Sequence, residues 1–162
     1  MNLEEYTCAL GKIVVNLHSL EFALRTFLWN YESPQNPPNW NTQISQLQVG
    51  QTVPLNAFTN YDELRKLINK FNSLVDASLC VDPKVVTLRD ALAHGRVWAQ
   101  APHPPMQLVK FSKPSNGSVT VTHAECVDDQ WLQSQASRVS GEIEKVAKAG
   151  LKMQPSKWPE AT

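Results

Sequence analysis

The chain has 162 residues, of which 42% are hydrophobic and 19% charged, and its 15 basic and 15 acidic side chains give a formal net charge of zero. This length is typical of one domain with a substantial core, and the balanced charge excludes a globally basic nucleic-acid binder but not a local basic patch. No apolar run reaches the roughly 20 residues of a transmembrane helix, and the acidic start MNLEEYTC is unlike a secretory signal, so we expect a cytoplasmic protein with no membrane partner.

The cysteines give no sign of a disulfide framework or a zinc site. Cys8, Cys80 and Cys126 are odd in number, far apart and without a C-x-x-C pair. Both kinds of site need closer or paired spacings. We therefore expect three reduced thiols, and the sequence predicts no metal site and no cofactor.

The first predicted element is a long amphipathic helix over residues 3 to 31. Acidic residues near its start suit the helix dipole, and Pro34 ends it. Its apolar residues recur at spacings of three and four, which is the stripe of a helix with one buried face: Tyr6, Leu10, Ile13, Val14, Leu17, Leu20, Leu24, Phe27, Leu28 and Tyr31. Residues 32 to 59 are polar and proline-containing, and we expect a long irregular segment with at most a short helix over 41 to 47.

Two further helices are predicted before the middle of the chain ends. Residues 60 to 79 form the second, with Asn60 as N-cap and Glu63 at the capping-box position. The third begins near Pro83, which suits a first helical turn, and runs to about Trp98, where a proline-rich stretch stops it.

The remaining residues predict a β-hairpin and a last helix. Residues 106 to 124 contain a PSNG turn signal followed by β-branched alternation, which is typical of a hairpin. The last helix runs from about Asp128 to Ala149, with Asp128 or Asp129 as its cap and Gly150 as its stop. Residues 151 to 162 are expected to be a mobile tail.

Together these elements predict a mainly α fold. We expect an up-down antiparallel bundle of four main helices, with the hairpin inserted between the third and fourth. Residues 1 to 150 are predicted to form a single domain.

The third helix carries the most informative stretch, VVTLRDALAHGRV at residues 85 to 97. Asp90 and His94 are four residues apart, so they share a face and can touch. Arg89 is five residues from His94, an offset of about 140°. Arginine supplies a fixed cation suited to phosphate, and histidine can transfer protons near neutral pH. These groups are sufficient for phosphodiester cleavage without a metal, but they can equally form a polar network that fixes packing.

The segment LRDALAHGRV resembles the R-polar-x-x-x-H signature of HEPN domains, which are small helical bundles. A second segment, LEFALRTFL at residues 20 to 28, resembles the opening helix of these domains, with Glu21 as a polar inward residue. Asp90 stands where the family commonly has Asn. The resemblance implies a homodimer in which two motifs face each other across a composite cleft. It further implies a metal-independent endoribonuclease of toxin or defence type, with an RNA substrate and an antitoxin or other protein partner. By this resemblance His94 assists proton transfer, Arg89 binds the scissile phosphate, and Asp90 orients or tunes His94.

Local charge is compatible with RNA binding. Residues 83 to 114 contain five basic side chains and a single acid, Asp90. The basic residues outside the motif that we predict to bind nucleic acid are Lys84, Arg96, Lys110 and Lys113. Trp98 and Phe111 are candidates for stacking on bases, although core packing is the commoner role of aromatic side chains.

A second hypothesis remains open at this stage. The chain can be a non-catalytic HEPN-like interaction module that binds a partner protein or a nucleotide, with Arg89 and His94 holding the bundle or dimer together. A cysteine or metal hydrolase has little support, because no cysteine has a readable basic partner and no ligand spacing matches a metal site.

Overall fold

The computed structural model describes residues 2–33, 46–99 and 105–153. Within these ranges the chain forms four α-helices, one short 3₁₀ turn and three strands. In chain order they are α1 (Leu3–Glu32), α2 (Leu64–Asn72), the 3₁₀ turn (Ala77–Leu79), α3 (Lys84–His94), β1 (Arg96–Trp98), β2 (Met106–Phe111), β3 (Val121–Val127) and α4 (Asp129–Met153). The predicted mainly helical character is confirmed, and the up-down arrangement of the helices stays a prediction.

The chain divides into two compact units. The first contains Met1–Leu20 and Asp82–Ile143, and the second contains Glu21–Val81 and Glu144–Thr162. The predicted motif, helix α3 and all three strands therefore belong to the first unit. A single domain over residues 1 to 150 stays a prediction.

Helix α1 begins with a reciprocal cap. The Glu5 backbone N–H donates to Asn2 Oδ1 at 2.9 Å, and the Asn2 backbone N–H donates to Glu5 Oε2 at 2.8 Å. Such a capping box satisfies two backbone donors that the first helical turn leaves without partners. The helix ends at Glu32, one residue beyond the predicted end.

The three strands form one antiparallel sheet in the order β1-β2-β3. Strands β2 and β3 form the predicted hairpin, and their connection turns at Asn116 and Gly117, whose φ angles are 51° and 77°. Asn-Gly is the pair that a tight turn with two positive φ angles prefers. Strand β3 extends to Val127, three residues beyond the predicted end of the hairpin.

The predicted third helix was too long, because the chain leaves the helix after His94 and forms β1. Gly95 lies at the change, with ψ at 171°. A Cβ atom there would collide with the Ala91 carbonyl oxygen and lie 2.7 Å from Leu108 Cδ1. Glycine therefore allows α3 to end against β2 and the chain to continue directly as the sheet's first strand.

Two other helix boundaries were also wrong. Helix α2 begins at Leu64 rather than Asn60, with Glu63 at the N-cap. The Asn60 side chain instead accepts hydrogen bonds from the Asp62 backbone N–H and from Arg25. Gly150 does not stop α4, which continues to Met153, and Gly150 lacks the left-handed φ that is typical of a glycine C-terminal cap.

A further boundary was wrong as well: the second helix was predicted to reach residue 79, but α2 ends at Asn72, and Ala77–Leu79 form a separate 3₁₀ turn. The remaining predicted boundaries lie close to those observed or fall outside the described residues. Asp128 caps α4, since its Oδ1 accepts a hydrogen bond from the Trp131 backbone N–H at 2.7 Å. Residues 46–59 are irregular, as predicted for that part of the segment. The possible short helix over 41 to 47 and most of the predicted tail fall on residues 34–45 and 154–162, outside the described ranges.

Each unit has its own buried apolar side chains. In the first unit they come from α1, α3, β2, β3 and α4: Tyr6, Ile13, Leu17, Leu20, Val85, Val86, Leu88, Ala91, Leu108, Val127, Leu132 and Val139. In the second they include Leu24, Phe27, Leu28, Leu64, Leu67, Ile68, Phe71, Val81 and Val146. The stripe of α1 thus contributes to both cores.

No helix in the described ranges has the length and apolar character needed to cross a bilayer.

Candidate functional site

The predicted motif lies at the surface of α3. Arg89 Nη1 donates a hydrogen bond to Asp90 Oδ1 at 2.9 Å, and Lys110 Nζ of β2 lies 3.9 Å from Asp90 Oδ2. The exposed fractions of the Arg89, Asp90 and Lys110 side chains are 35%, 33% and 27%. The carboxylate therefore lies between two cations at a half-buried surface, where ion pairs contribute little to stability.

His94 ends α3 and is exposed. Among the described residues none forms a hydrogen bond with its ring, and the Asp90 carboxylate that the helical spacing placed beside it is engaged by Arg89 and Lys110. The imidazole is therefore accessible to a ligand. It takes no part in a buried polar network that would fix the packing of α3.

The apolar residues of α3 hold the motif in place. Val85, Leu88 and Ala91 are buried, as is Val86 on another side of the helix. Arg89 and Asp90 lie on either side of the line through Val86, since successive residues differ by about 100° around the axis. Val97, which falls within the predicted third helix, belongs to β1 and is 49% exposed.

The sheet presents an aromatic and basic face on the side opposite to Leu108 and Lys110, and thus opposite to the side on which Lys110 contacts Asp90. Side chains alternate across a strand, so Arg96, Trp98 and Phe111 lie on the face opposite to the buried Leu108. The Arg96 guanidinium lies 5.4 Å from the centroid of the Phe111 ring, and Trp98 is 57% exposed. Lys113, just after β2, is also exposed. We call Arg96, Trp98 and Phe111 the open sheet face.

The two remaining predicted site residues lie elsewhere. Lys84 is the first residue of α3 and lines a cavity. Glu21 belongs to the second unit, where its carboxylate pairs with Arg25 at 2.8 Å. Of the predicted residues, the structure brings together Arg89, Asp90 and Lys110.

Arg25 makes several hydrogen bonds that the sequence did not predict. Its side chain is 14% exposed. Its guanidinium donates to Glu21 Oε1 at 2.8 Å, to the Asn60 carbonyl at 2.9 Å and to the Asp62 carbonyl at 2.8 Å. It thereby ties α1 to the chain that leads into α2, which is a structural role.

The cavity that Lys84 lines was also not anticipated. It has a volume of about 230 Å³ and lies in the first unit among α3, β3 and α4. Its walls include Leu88, His123, Glu125, Trp131, Gln135 and Arg138 in addition to Lys84. No sequence motif links these residues, because strand register and helix packing bring them together.

Asp82, beside this cavity, orients one of its cations. Arg138 Nη2 donates to Asp82 Oδ2 at 2.9 Å, and the Lys84 backbone N–H donates to Asp82 Oδ1 at 2.9 Å. The Lys84 hydrogen bond and then Arg138 lower the pKa of Asp82, against the opposing effect of burial. The carboxylate therefore stays ionised and holds the guanidinium in position.

The thiols do not form a reactive cluster. Cys8 and Cys126 are exposed and Cys80 is half-buried, and all three are free. Within the part of the chain that the structure describes, no three His, Cys, Asp or Glu side chains converge in an arrangement that could hold a metal ion.

A scan against protein-family models found no match for this chain, and neither did searches of the curated proteins and of the solved structures.

Proposed function

We propose that the chain is a HEPN-like protein that acts as a metal-independent endoribonuclease of toxin or defence type. In this proposal two copies associate so that Arg89 and His94 of each contribute to one composite cleft. The observation that carries the proposal is the accessibility of these two side chains: His94 is exposed and Arg89 is 35% exposed on the same helix. A purely structural polar network would be expected to bury both side chains and to give His94 a hydrogen-bond partner.

The reaction needs only proton transfer and charge stabilisation. The 2′-hydroxyl oxygen forms a bond to the adjacent phosphorus while the bond from phosphorus to the 5′-oxygen breaks. One His94 imidazole takes the 2′-hydroxyl proton, and the protonated His94 of the partner subunit gives a proton to the leaving 5′-oxygen. Arg89 donates to the phosphate oxygens, where negative charge builds in the transition state. The products are a 2′,3′-cyclic phosphate and a 5′-hydroxyl.

The open sheet face provides a surface for the RNA strand. Exposed aromatic rings stack on unpaired bases with little sequence preference, and Trp98 and Phe111 are available for this. Arg96, which lies 5.4 Å from the Phe111 ring, and Lys113, two residues beyond Phe111 in the chain, are exposed cations that can contact the phosphates. Lys84 and Lys110 complete the basic residues assigned to RNA, although Lys110 is already near Asp90.

Exposed apolar side chains support self-association. Val97, Val119 and Val121 have exposed fractions of 49%, 51% and 53%. They lie on the strands and the hairpin connection of the same unit as the motif. Each of these side chains can contribute apolar contacts to an interface between two copies.

The alternative is a non-catalytic HEPN-like interaction module, which binds a partner protein such as an antitoxin, or a nucleotide. One observation favours it: the Asp90 carboxylate pairs with Arg89 and lies near Lys110, which reduces the positive charge available to a phosphate. In this case Arg89 and His94 would serve binding rather than cleavage.

The deciding experiment is cleavage of a mixed RNA substrate by the purified chain in EDTA, compared with His94→Ala. The proposal expects cleavage by the wild type with 2′,3′-cyclic phosphate ends, and loss of at least about 100-fold in the variant, as for other general acid–base groups. His18→Ala is the matched control, since His18 is an exposed histidine of α1 outside the motif. Equal cleavage by the wild type and His94→Ala would refute the proposed role of His94.

Stability and mass measurements on the same proteins separate the two candidates. Because the described structure gives His94 no hydrogen-bond partner, His94→Ala should retain the melting temperature and the dimer mass in light scattering. A monomeric wild type would contradict the composite cleft. Loss of the dimer in the variant, with no cleavage by either protein, would favour the interaction module.

A further inference from the structure

The cavity in the first unit is separate in its residues from the catalytic pair proposed above. It lies where the start of α3 meets the inner face of β3 and the first half of α4, and its volume is about 230 Å³. Typical pockets for drug-sized ligands are roughly 300–1,000 Å³. At about 30 Å³ for each water molecule, the space equals only seven or eight waters. Its ligand is therefore a small molecule rather than a polymer or a dinucleotide.

Two polar groups at this cavity, on His123 and Glu125, have no partner among the described residues. His123 Nε2 is buried and makes no hydrogen bond. The Glu125 carboxylate is exposed and forms no ion pair with the described residues, whereas the exposed Lys84 ammonium interacts electrostatically with the Asp82 carboxylate. A buried polar atom without a hydrogen bond is destabilising by about 1–3 kcal/mol, and such an atom calls for an explanation such as a ligand.

The charges around the cavity include both signs on different elements. Lys84 of α3 and Arg138 of α4 are cations, and Glu125 of β3 is an anion. Asp82 already pairs with Arg138 at 2.9 Å, so the four charges sum to zero. A neutral set of separated charges suits a ligand that itself carries both signs. It does not suit a phosphate dianion, which would leave Glu125 facing like charge.

Apolar groups complete the wall. Leu88 is buried on α3, and the Trp131 indole of α4 is half-buried. Indole and leucine surfaces favour contact with an apolar or aromatic side chain. The cavity thus combines two cations, one anion and an apolar wall within a small volume.

We propose that this cavity binds a free α-amino acid with an apolar side chain. Lys84 and Arg138 receive the carboxylate, Glu125 receives the ammonium group, and the side chain lies against Leu88 and Trp131. This inference does not depend on the ribonuclease proposal.

The test is isothermal titration of the full chain with L-leucine, L-methionine and L-phenylalanine. We expect saturable binding of at least one of them at concentrations up to about 10 mM, the range of a weak metabolite site. The analogues 3-phenylpropionate and phenethylamine, which lack the ammonium and the carboxylate respectively, should each bind at least about tenfold more weakly than phenylalanine. No saturable heat with any of the three amino acids would overturn the proposal.

Substitutions of the charged cavity residues then test which group of the amino acid each of them binds. Glu125→Gln should weaken amino-acid binding about tenfold but leave binding of 3-phenylpropionate unchanged, whereas Lys84→Gln should weaken both. The matched controls are Glu144→Gln and Lys12→Gln, which remove exposed charges that do not line the cavity. Equal affinity for phenylalanine and 3-phenylpropionate, or displacement of the amino acid by inorganic phosphate, would show an anion site instead and would also overturn the proposal.

Discussion

The Arg89 guanidinium donates a hydrogen bond to the carboxylate of its chain neighbour Asp90 at 2.9 Å. The same carboxylate lies 3.9 Å from the Lys110 ammonium. Asp90 therefore holds two cations that a phosphate would otherwise attract. In the proposed ribonuclease this carboxylate is a restraint on phosphate binding at the motif.

Replacement of Asp90 by Asn should release that restraint. Asp90→Asn retains the size of the side chain and removes its charge, so Arg89 and Lys110 should bind RNA more tightly. We expect RNA affinity and cleavage to rise by about three- to tenfold at low salt, with a change in stability of less than about 1 kcal/mol because the pair is partly exposed. Asp76→Asn, an exposed carboxylate that pairs with Lys152, is the control. Unchanged or weaker RNA binding in Asp90→Asn would contradict the assigned role.

Gly95→Ala should destabilise the first unit. The added Cβ would meet the Ala91 carbonyl oxygen and would lie 2.7 Å from Leu108 Cδ1. Overpacking of this kind costs about 1–3 kcal/mol, measurable by urea unfolding. Gly11→Ala is the matched control, since nothing lies within 4 Å of its Cβ position in helix α1, and it should stabilise the protein by about 0.5–1 kcal/mol. Equal effects of the two substitutions would mean that α3 does not end against β2 as described.

Arg25→Lys should weaken the attachment of α1 to the chain before α2. Lysine keeps the charge but lacks the planar fork that donates to Glu21, Asn60 and Asp62. Because the site is only 14% exposed, the carbonyl groups left without donors should cost about 1–3 kcal/mol in unfolding free energy. Arg65→Lys, an exposed arginine of α2, should have little effect. A similar loss from both variants would argue against the importance of the fork.

Asp62 should make stability depend on pH in the acidic range. Hydrogen bonds from Lys66 and then Lys70 lower the pKa of its carboxyl below the ordinary value. A pKa lowered in the folded state contributes stability that is fully present above the unfolded pKa, about 3.9, and is lost as the pH falls through the folded pKa. The stability difference between the wild type and Asp62→Asn should therefore be largest near neutral pH and shrink below about pH 4. Urea unfolding at several pH values measures it, and a pH-independent difference would contradict this pairing.

Some of the fold follows from local sequence. The stripe and the acidic cap of α1 lie within one segment, and the Asn-Gly turn selects its own backbone geometry, so both were predictable. The end of α3 was not predictable, because the helical pattern of the sequence continues through Val97. The chain leaves the helix at Gly95, and the reason involves the side chain of Leu108, thirteen residues away.

The contacts of the candidate site likewise depend on residues that are distant in the sequence. Helical spacing placed Asp90 beside His94, but it could not include Lys110, which reaches Asp90 only through the pairing of β1 with β2. His123 had no identifiable partner in the sequence. Its place beside Glu125 and Trp131 depends on the register of β3 and on the packing of α4, neither of which a local pattern specifies.

The change from helix to strand at Gly95 also has a consequence for preorganisation. A single residue separates His94 of the motif from Arg96 of the open sheet face, and that residue is enclosed by Ala91 and Leu108. The two surfaces therefore share one rigid support rather than a hinge. The backbone that carries His94 and Arg96 is therefore ordered before an RNA strand binds, so its conformational entropy is lost during folding and not during binding.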